Sequence, residues 1–222
     1  MTGSTSISAR IYASLRAEIL AGAYAPGDAL PSERRLSDDL GASRHVVREA
    51  LKRLQQAGLV RISQGGATRV RDWRRHGGLD LLLELGAEGE VPDELELRRS
   101  VLEMRASVGS DAARRCALRA SAVVRAELEA RAEMLAAEDD LEVRNTLYEA
   151  FWDLVIEGAD NLAYRLALNT LVAGQRVLAL DAAEVGSELA DAGAVRALAA
   201  AIAGARPDEA HGLARDLLER SV

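Results

Sequence analysis

The sequence places several hydrogen-bonding side chains close together between residues 43 and 48. Ser43 precedes a helical pattern, and Arg44 and Arg48 follow one helical turn apart, so both guanidinium groups share one face. A guanidinium group makes two parallel hydrogen bonds to the edge of a guanine base and charge-assisted hydrogen bonds to phosphate. This spacing therefore indicates recognition of base edges or phosphates, with His45 and Val46 at the same helix start.

Charge is distributed unevenly along the chain, whose net charge is -7. Residues 1–75 contain 13 Arg and Lys against 7 Asp and Glu, a net of +6. The remaining residues contain 15 against 28, a net of -13. The first third is therefore suited to bind an anionic polymer, which the acidic remainder would repel. We predict two domains, residues 1–75 and residues 76–222.

The sequence carries no pattern typical of an enzyme. We find no nucleophile with a positioned base, no glycine-rich phosphate loop and no paired acids in a cleft-like setting. The single cysteine, Cys116, lies in an Ala- and Arg-rich helical pattern, which favours a buried side chain over a reactive thiol. No run approaches the roughly 20 apolar residues that span a bilayer. We predict a cytoplasmic protein that is not an enzyme and has no membrane partner.

Apolar periodicity predicts the helices that must position the arginines. An amphipathic helix is expected over 7–21, a second over 32–40 and a third over 43–58, with Ser43 as its N-cap. Gly41 separates the second helix from the third by a tight turn. The apolar positions of the third helix that we expect to face the core are Val46, Val47, Ala50, Leu51 and Leu54.

After Gly58 the apolar period changes from the helical value to two. The segments LVRIS and ATRVR alternate around a Gly-Gly turn, which predicts a short β-hairpin with Arg61, Arg69 and Arg71 on or near its outer surfaces. Three helices followed by a hairpin form a winged helix-turn-helix, in which the second helix of the turn enters the major groove of DNA. The alternative is a solvated basic face on an ordinary helical domain.

Helical periodicity resumes in the acidic remainder, so the fold class is mainly α, with an all-α helical bundle at the C-terminal end. Its helices are expected at roughly 78–87, 93–118, 121–138, 140–158, 161–181, 187–204 and 207–220.

The segment PGDALPSERRLSDDLGASRHVVREALKRLQQAGLV resembles the DNA-binding domain of GntR-family bacterial transcription regulators, and the resemblance covers about residues 7–72. It implies that Arg34, Arg44, Arg48 and the wing-tip Gly65 contact DNA. Arg34 and Arg44 match the usual base readers of the family. Variable positions that help to set the operator sequence are His45, Val46 and Gln64. An alternative for His45 is an exposed residue that touches only water or phosphate.

Many members of the family's helical class bind a divalent metal through D-x-x-F-H on one helix and two later histidines. The matching segment here is YEAFWDLV, with Tyr148 at the Asp position and Trp152 at the His position. Val195 and Leu217 align with the later histidines. We therefore predict no metal site, and no other cofactor.

Tyr148-x-x-Phe151, the segment NLAYRLALN and the stretch that joins the wing to the next helix resemble FadR-type regulators, which respond to fatty acyl-CoA. The resemblance implies a long apolar pocket in the bundle, with a cation near its mouth for phosphates. Arg105 and Phe151 align with ligand-pocket positions, and Tyr148, Trp152 and Tyr164 are candidate lining residues. The alternative is that the three aromatic residues on the YEAFWDLV helix only pack the core.

The whole sequence therefore predicts a homodimeric transcription regulator on a pseudo-palindromic operator of double-stranded DNA. A small-molecule effector, long-chain acyl-CoA first among the candidates, would bind in the helical domain and loosen the DNA complex. Two alternatives remain open: a sensor of a small organic or amino acid without metal, and a dimeric DNA binder with no effector.

Overall fold

The computed structural model describes residues 6–63, 66–81, 94–177 and 186–221. These residues are mostly helical, with one antiparallel pair of strands among them, which confirms the predicted mainly α fold. The chain divides into two compact units, residues 1–94 and residues 95–222.

The first unit begins with three helices, α1 (Ile7–Leu20), α2 (Glu33–Leu40) and α3 (Arg44–Gln56). Each starts after a serine whose hydroxyl accepts a hydrogen bond from a backbone N–H three residues further on, so that one of the unpaired N–H groups of the first turn is satisfied. These N-caps are Ser6, Ser32 and Ser43.

The tight turn between α2 and α3 depends on Gly41. Its φ of 60° lies in the left-handed region, where glycine has no steric penalty, and its N–H donates to the carbonyl of Ser37. The turn therefore ends α2 at Leu40 and lets α3 begin three residues beyond Gly41. This is the helix-turn-helix that the sequence predicts.

The core of the first unit includes apolar side chains of α1 and α3. Leu15 and Ile19 of α1 are buried, as are Val47, Leu51 and Leu54 of α3. Val46 is half-buried, because it lies at the edge of the apolar stripe rather than in its centre. The predicted inward face of α3 is otherwise confirmed.

A short hairpin follows α3. Strand β1 (Val60–Arg61) pairs antiparallel with β2 (Arg69–Val70), in a register that places Val60 opposite Val70 and Arg61 opposite Arg69. The valines are buried and the arginines exposed, as the alternation predicts. The hairpin tip, with Gln64 and Gly65, lies outside the described residues. A short helix, α4 (Trp73–His76), follows β2.

The second unit contains further helices and a final 3-10 turn. They are α5 (Glu94–Arg119), α6 (Ala122–Ala137), α7 (Leu141–Ala159), α8 (Leu162–Val177), α9 (Gly186–Ala190), α10 (Ala192–Ala203), α11 (Pro207–Leu218) and the turn Glu219–Ser221.

The prediction of one helix over 187–204 is wrong, because α9 and α10 are separate. Asp191 stands between them, and its carboxylate accepts a hydrogen bond from the N–H of Ala194 at 2.8 Å. The side chain therefore starts a new helix rather than continuing the old one. Most of the helix predicted over 78–87 and the end of the one predicted over 161–181 lie outside the described residues.

One apolar cluster forms the core of the second unit, with side chains from α5, α6, α7, α9, α10 and α11. Its large, fully buried members include Leu128, Phe151, Leu198, Ile202 and Leu217. Small residues of α5, such as Ala113 and Ala117, let neighbouring helices approach closely. Within the residues that the structure describes, no helix is long and apolar enough to cross a membrane.

Candidate nucleic-acid interface and effector site

The start of α3 presents its polar side chains to solvent. Arg44, His45 and Arg48 are exposed, as is Arg34 on α2. The hydroxyl of Ser43 accepts the N–H of Val46 at 3.4 Å, so this side chain caps the helix. Apart from the half-buried Val46, the predicted interface residues on α2 and α3 therefore lie on the solvent-facing side of the helix-turn-helix.

Three of these side chains are held only weakly within the protein. Arg34 lies 3.8 Å from Asp38 and His45 lies 3.6 Å from Glu49, both as exposed pairs one turn apart. Arg44 makes no hydrogen bond or ion pair with any described residue. Since exposed pairs contribute only about 0–1 kcal/mol, all three side chains are available to an outside acceptor at small cost.

Arg48 differs because it is bound to Glu33. Its Nη2 lies 2.7 Å and its Nε 3.1 Å from the Glu33 carboxylate, so the ion pair connects α3 to α2. The hydrogen bonds from Arg48 lower the pKa of Glu33, although partial burial opposes this shift. Arg48 therefore ties the two helices of the motif together. The sequence alone does not reveal the contact between Glu33 and Arg48, because it depends on the geometry of the turn at Gly41.

The described base of the wing adds cationic side chains to the first unit. Arg61 and Arg69 are exposed and face each other across the strand pair. Arg69 donates from Nη1 to the carbonyl of Gly27 at 2.8 Å, so it also fixes the loop before α2. Gln64 and Gly65, the predicted wing contacts, lie outside the described residues.

A buried ion pair lies inside the second unit. Arg105 of α5 donates from Nη1 and Nη2 to the two carboxylate oxygens of Glu188 of α9, each at 2.7 Å. The hydroxyls of Tyr148 and Ser221 also donate to this carboxylate, each at 2.5 Å. Glu188 is completely buried and Arg105 is 8% exposed. The Glu188 carboxylate therefore accepts four hydrogen bonds from three side chains.

The protonation states in this cluster follow from burial and from Glu188. Burial lowers the pKa of the Arg105 guanidinium, but the hydrogen bonds and charge of Glu188 outweigh it, so the pKa is raised overall. Burial and the nearby negative charge raise the pKa of the Tyr148 hydroxyl well above its ordinary value. Arg105 therefore stays charged and Tyr148 stays a neutral donor.

The predicted aromatic residues Trp152 and Phe151 lie near Tyr148, which belongs to this polar cluster. The rings of Tyr148 and Trp152 meet edge to face at 6.3 Å, and those of Phe151 and Trp152 at 6.0 Å. Phe151 is fully buried in the core. The structure thus brings Arg105, Tyr148, Trp152 and Phe151 into one region, with Glu188 as an unexpected member.

Tyr164, the remaining predicted ligand residue, has a different partner. Its hydroxyl donates to Asp111 at 2.7 Å, and Arg114 and Arg115 also bind this carboxylate. Burial raises the pKa of Asp111, but the three hydrogen bonds outweigh it and the pKa is held well below its ordinary range. Tyr164 therefore joins α8 to α5.

The positions that align with metal ligands carry side chains that are buried in the core. Tyr148, Trp152, Val195 and Leu217 all belong to the core cluster. Across the described ranges, no group of three or more His, Cys, Asp and Glu side chains is placed to hold a metal ion. Cys116 is fully buried, as predicted, and burial raises its pKa to about 12.

A cavity of about 710 Å³ lies between α5 and α11, lined by residues that include Ser107, Ser110, His211 and Arg215. A second cavity, of about 240 Å³, lies in the first unit beside Tyr12 and Arg53. Neither of these two cavities is lined by a predicted ligand residue.

Comparison with known proteins agrees with this architecture. The model of bacterial regulatory proteins of the gntR family matches residues 7–70, and the FCD domain model matches residues 100–220. The HTH-type transcriptional regulator Mce2R of Mycobacterium tuberculosis is 39% identical over 218 residues, which cover 96% of this chain and 89% of that protein.

A more distant relative and one solved structure are also similar. The fatty acid metabolism regulator protein of Serratia proteamaculans is 33% identical over 67% of this chain and 60% of that protein. The solved structure of Lar, which controls expression of the Listeria monocytogenes agr system, has a TM-score of 0.52 at 14% identity and covers 99% of this chain and 97% of that one, a likeness of fold alone. The chain belongs to the GntR family as a DNA-binding transcription regulator with an FCD domain, and it is not an enzyme.

Proposed function

We propose that residues 1–75 bind a pseudo-palindromic operator with α3 in the major groove. The observation that carries this proposal is the exposed set of cationic side chains at the start of α3, of which Arg44 makes no hydrogen bond or ion pair with a described residue. Arg34 and Arg44 read base edges, Arg48 and Ser43 approach the phosphates, and His45 and Val46 tune the sequence preference. Gln64 and Gly65 contact the DNA from the wing.

Residues 76–222 form the effector-binding and dimerisation domain in this proposal. A homodimer presents two copies of α3 to two half-sites, and the two-fold symmetry of the protein requires a matching symmetry of the operator. Sedimentation of the protein with and without a duplex of its own upstream region tests this stoichiometry. Two chains per duplex are expected, and one chain per specific duplex contradicts the proposal.

The proposed effector is a fatty acyl compound carried as long-chain acyl-CoA. The similarity to the Serratia fatty acid metabolism regulator protein supports this class. The adjoining aromatic residues Tyr148, Phe151 and Trp152 supply apolar surface for an acyl chain beside Arg105. Binding would favour one arrangement of the two wings over another and so weaken operator binding.

A second candidate effector is a small carboxylic acid. The Arg105 cluster favours it, because hydrogen-bond donors converge there on a carboxylate. A small acid needs a compact polar site, whereas an acyl chain needs a long apolar one.

Operator release on titration with ligand separates these effectors. Fluorescence anisotropy of the labelled upstream duplex is followed while palmitoyl-CoA, free CoA or a small carboxylic acid is added. Release by palmitoyl-CoA at micromolar concentration, without release by free CoA, is the expected result. Release by the small acid alone identifies the second candidate. No release, together with no ligand-induced rise in Tm, identifies a DNA binder without an effector.

A further inference from the structure

Glu188 fills the part of the second unit that is best equipped to bind a carboxylate. Its two oxygens accept both N–H groups of the Arg105 fork and the hydroxyls of Tyr148 and Ser221, at distances of 2.5 to 2.7 Å. Among the described residues, each side chain that forms a hydrogen bond with this carboxylate is a donor. The same four bonds would suit the carboxylate of a small molecule equally well, since they recognise the group and not the chain that carries it.

The three donor-bearing side chains come from distant parts of the chain. Arg105 lies on α5, Tyr148 on α7 and Ser221 in the final 3-10 turn, and Glu188 is 83 residues from Arg105 in sequence. The indole Nε1 of Trp152, next to Tyr148, is buried and has no hydrogen-bond partner among the described residues. Arg105, Tyr148 and Ser221 thus form a donor cluster that Glu188 occupies and that has an adjacent unused donor.

The element that carries Glu188 is short, and its Leu189 is buried in the core of the second unit. Helix α9 has five residues, too few for a stable helix by itself. Asp191 begins α10 with its own cap, so a displacement of α9 leaves the backbone hydrogen bonds within α10 intact. The long helices α5 and α7 hold Arg105 and Tyr148, whereas the acceptor lies on the shortest α-helix described in this unit.

Exchange of the Glu188 carboxylate for that of a ligand costs less free energy than breaking the Arg105–Glu188 ion pair without a replacement. Removing Glu188 alone would leave Arg105 charged, buried and unpaired, at a cost of several kcal/mol. Replacing its carboxylate by that of a ligand keeps the charge balance and the number of hydrogen bonds. Displacement by an anion is therefore far less costly than displacement by a neutral molecule.

We propose that Glu188 is an internal ligand of the Arg105 site and that the carboxylate of an effector displaces it, which frees α9. The inference rests on the proposed function in placing the effector in the second unit, and it requires an effector with a free carboxylate, which the thioester of acyl-CoA lacks. A fatty acid and a small organic acid share this group. Glu188 thereby sets the effector concentration at which the regulator responds, because only the fraction of molecules with an open site binds.

Binding measurements on variants of the full chain test the competition. Calorimetric titrations use acetate, decanoate and the uncharged decanamide as probes. Glu188→Gln removes the internal charge at constant size, and we expect it to bind decanoate roughly tenfold more tightly than the wild type does. Glu133→Gln is the matched control, because it removes the carboxylate of an ion pair of the same 2.7 Å length that lies at the surface. It should leave decanoate affinity unchanged.

Hydrogen exchange on the wild type supplies a measurement that does not depend on the folding of any variant. Decanoate should increase amide exchange in the peptide that contains Gly186–Ala190, and decanamide should not. Equal decanoate affinity of wild type and Glu188→Gln, bound decanoate with unchanged exchange at α9, or no binding of either acid overturns the inference. A strong preference for decanoate over acetate identifies a fatty acid as the source of the carboxylate, and similar affinities identify a small acid.

Operator release separates this inference from the proposed function. Release by palmitoyl-CoA with unchanged exchange at α9 overturns the internal-ligand role and leaves the acyl-responsive regulator in place. Increased exchange at α9 with decanoate, without operator release by any ligand, supports the internal ligand and contradicts the proposed regulation.

Discussion

Individual side chains in the second unit are positioned by bonds between residues far apart in sequence. Arg105 binds Glu188 and Tyr164 binds Asp111, over separations of 83 and 53 residues. The Glu188 carboxylate is fully shielded from solvent and that of Asp111 partly, so these bonds are screened less than those at the surface. We therefore expect mutations in the two clusters to change the stability of this unit.

Removal of Arg105 should destabilise the protein strongly. Arg105→Ala leaves Glu188 buried without its cation, which costs about 3–5 kcal/mol. Urea unfolding at neutral pH, followed by circular dichroism, measures the change. Arg196→Ala is the control, since its 2.7 Å bond to Glu133 is exposed and should contribute less than about 1 kcal/mol. A similar loss for the two variants would contradict the assigned burial of the Arg105 pair.

Asp111 should make the free energy of unfolding depend on pH in the acid range. Its pKa in the folded state is held below the unfolded value by Tyr164, Arg114 and Arg115, so its contribution is present above an ordinary aspartate pKa of about 4. That contribution is lost as the pH falls through the folded pKa. We expect Asp111→Asn to lower the free energy of unfolding at pH 7 and to flatten its decline in acid.

Urea midpoints measured from pH 7 down to the acid limit check this dependence. Asp216→Asn is a suitable control, because the ion pair of Asp216 with Arg215, at 3.7 Å, is exposed. Parallel acid profiles for wild type and Asp111→Asn would show that Asp111 is not ionised in the folded state in the way described.

At the scale of elements, local signals fix the first unit almost completely. Apolar periodicity, the cap at Ser43, the break at Gly41 and the change of period after Gly58 predict α1 to α3 and the hairpin, and all of these are present. The break at Asp191 was not predicted, because a lone Asp in an Ala-rich run does not reveal whether its side chain caps a new helix. Glu188 has no local signal either, since its partners lie on other elements.

Gly58, between α3 and the wing, has a backbone conformation and a close neighbour that only glycine accommodates. Its φ is +78°, and an added Cβ would lie 2.1 Å from the carbonyl oxygen of His76. Gly58→Ala should therefore destabilise the first unit by more than the roughly 1–2 kcal/mol of left-handed strain alone. Gly22→Ala is the control, because Gly22 has φ +80° but open space at its Cβ position.

Thermal unfolding of the two glycine variants gives the comparison. A larger fall in Tm for Gly58→Ala than for Gly22→Ala is the expected result. Equal falls would show that the approach of His76 to Gly58 does not constrain the folded state.

At the scale of the whole molecule, a basic DNA-reading part precedes an acidic helical part. The family models match both, at residues 7–70 and 100–220, so the domain order and DNA-binding class are established. The predicted boundary at residues 75 and 76 and the homodimer stay predictions. The effector class could not be read from the sequence, because Arg105 alone does not reveal that a carboxylate of the same chain already occupies it.

We propose that side chains at the start of α3 recognise the operator sequence, and operator binding by variants of α3 tests this. Affinities of wild type, Arg44→Ala and the control Lys52→Ala, an exposed cation further along the same helix, are measured by anisotropy on the upstream duplex and on a shuffled duplex at fixed salt. We expect Arg44→Ala to lose about 1–3 kcal/mol on the upstream duplex and much less on the shuffled one, and Lys52→Ala to show no loss of preference. Unchanged affinity and preference for Arg44→Ala would contradict the account.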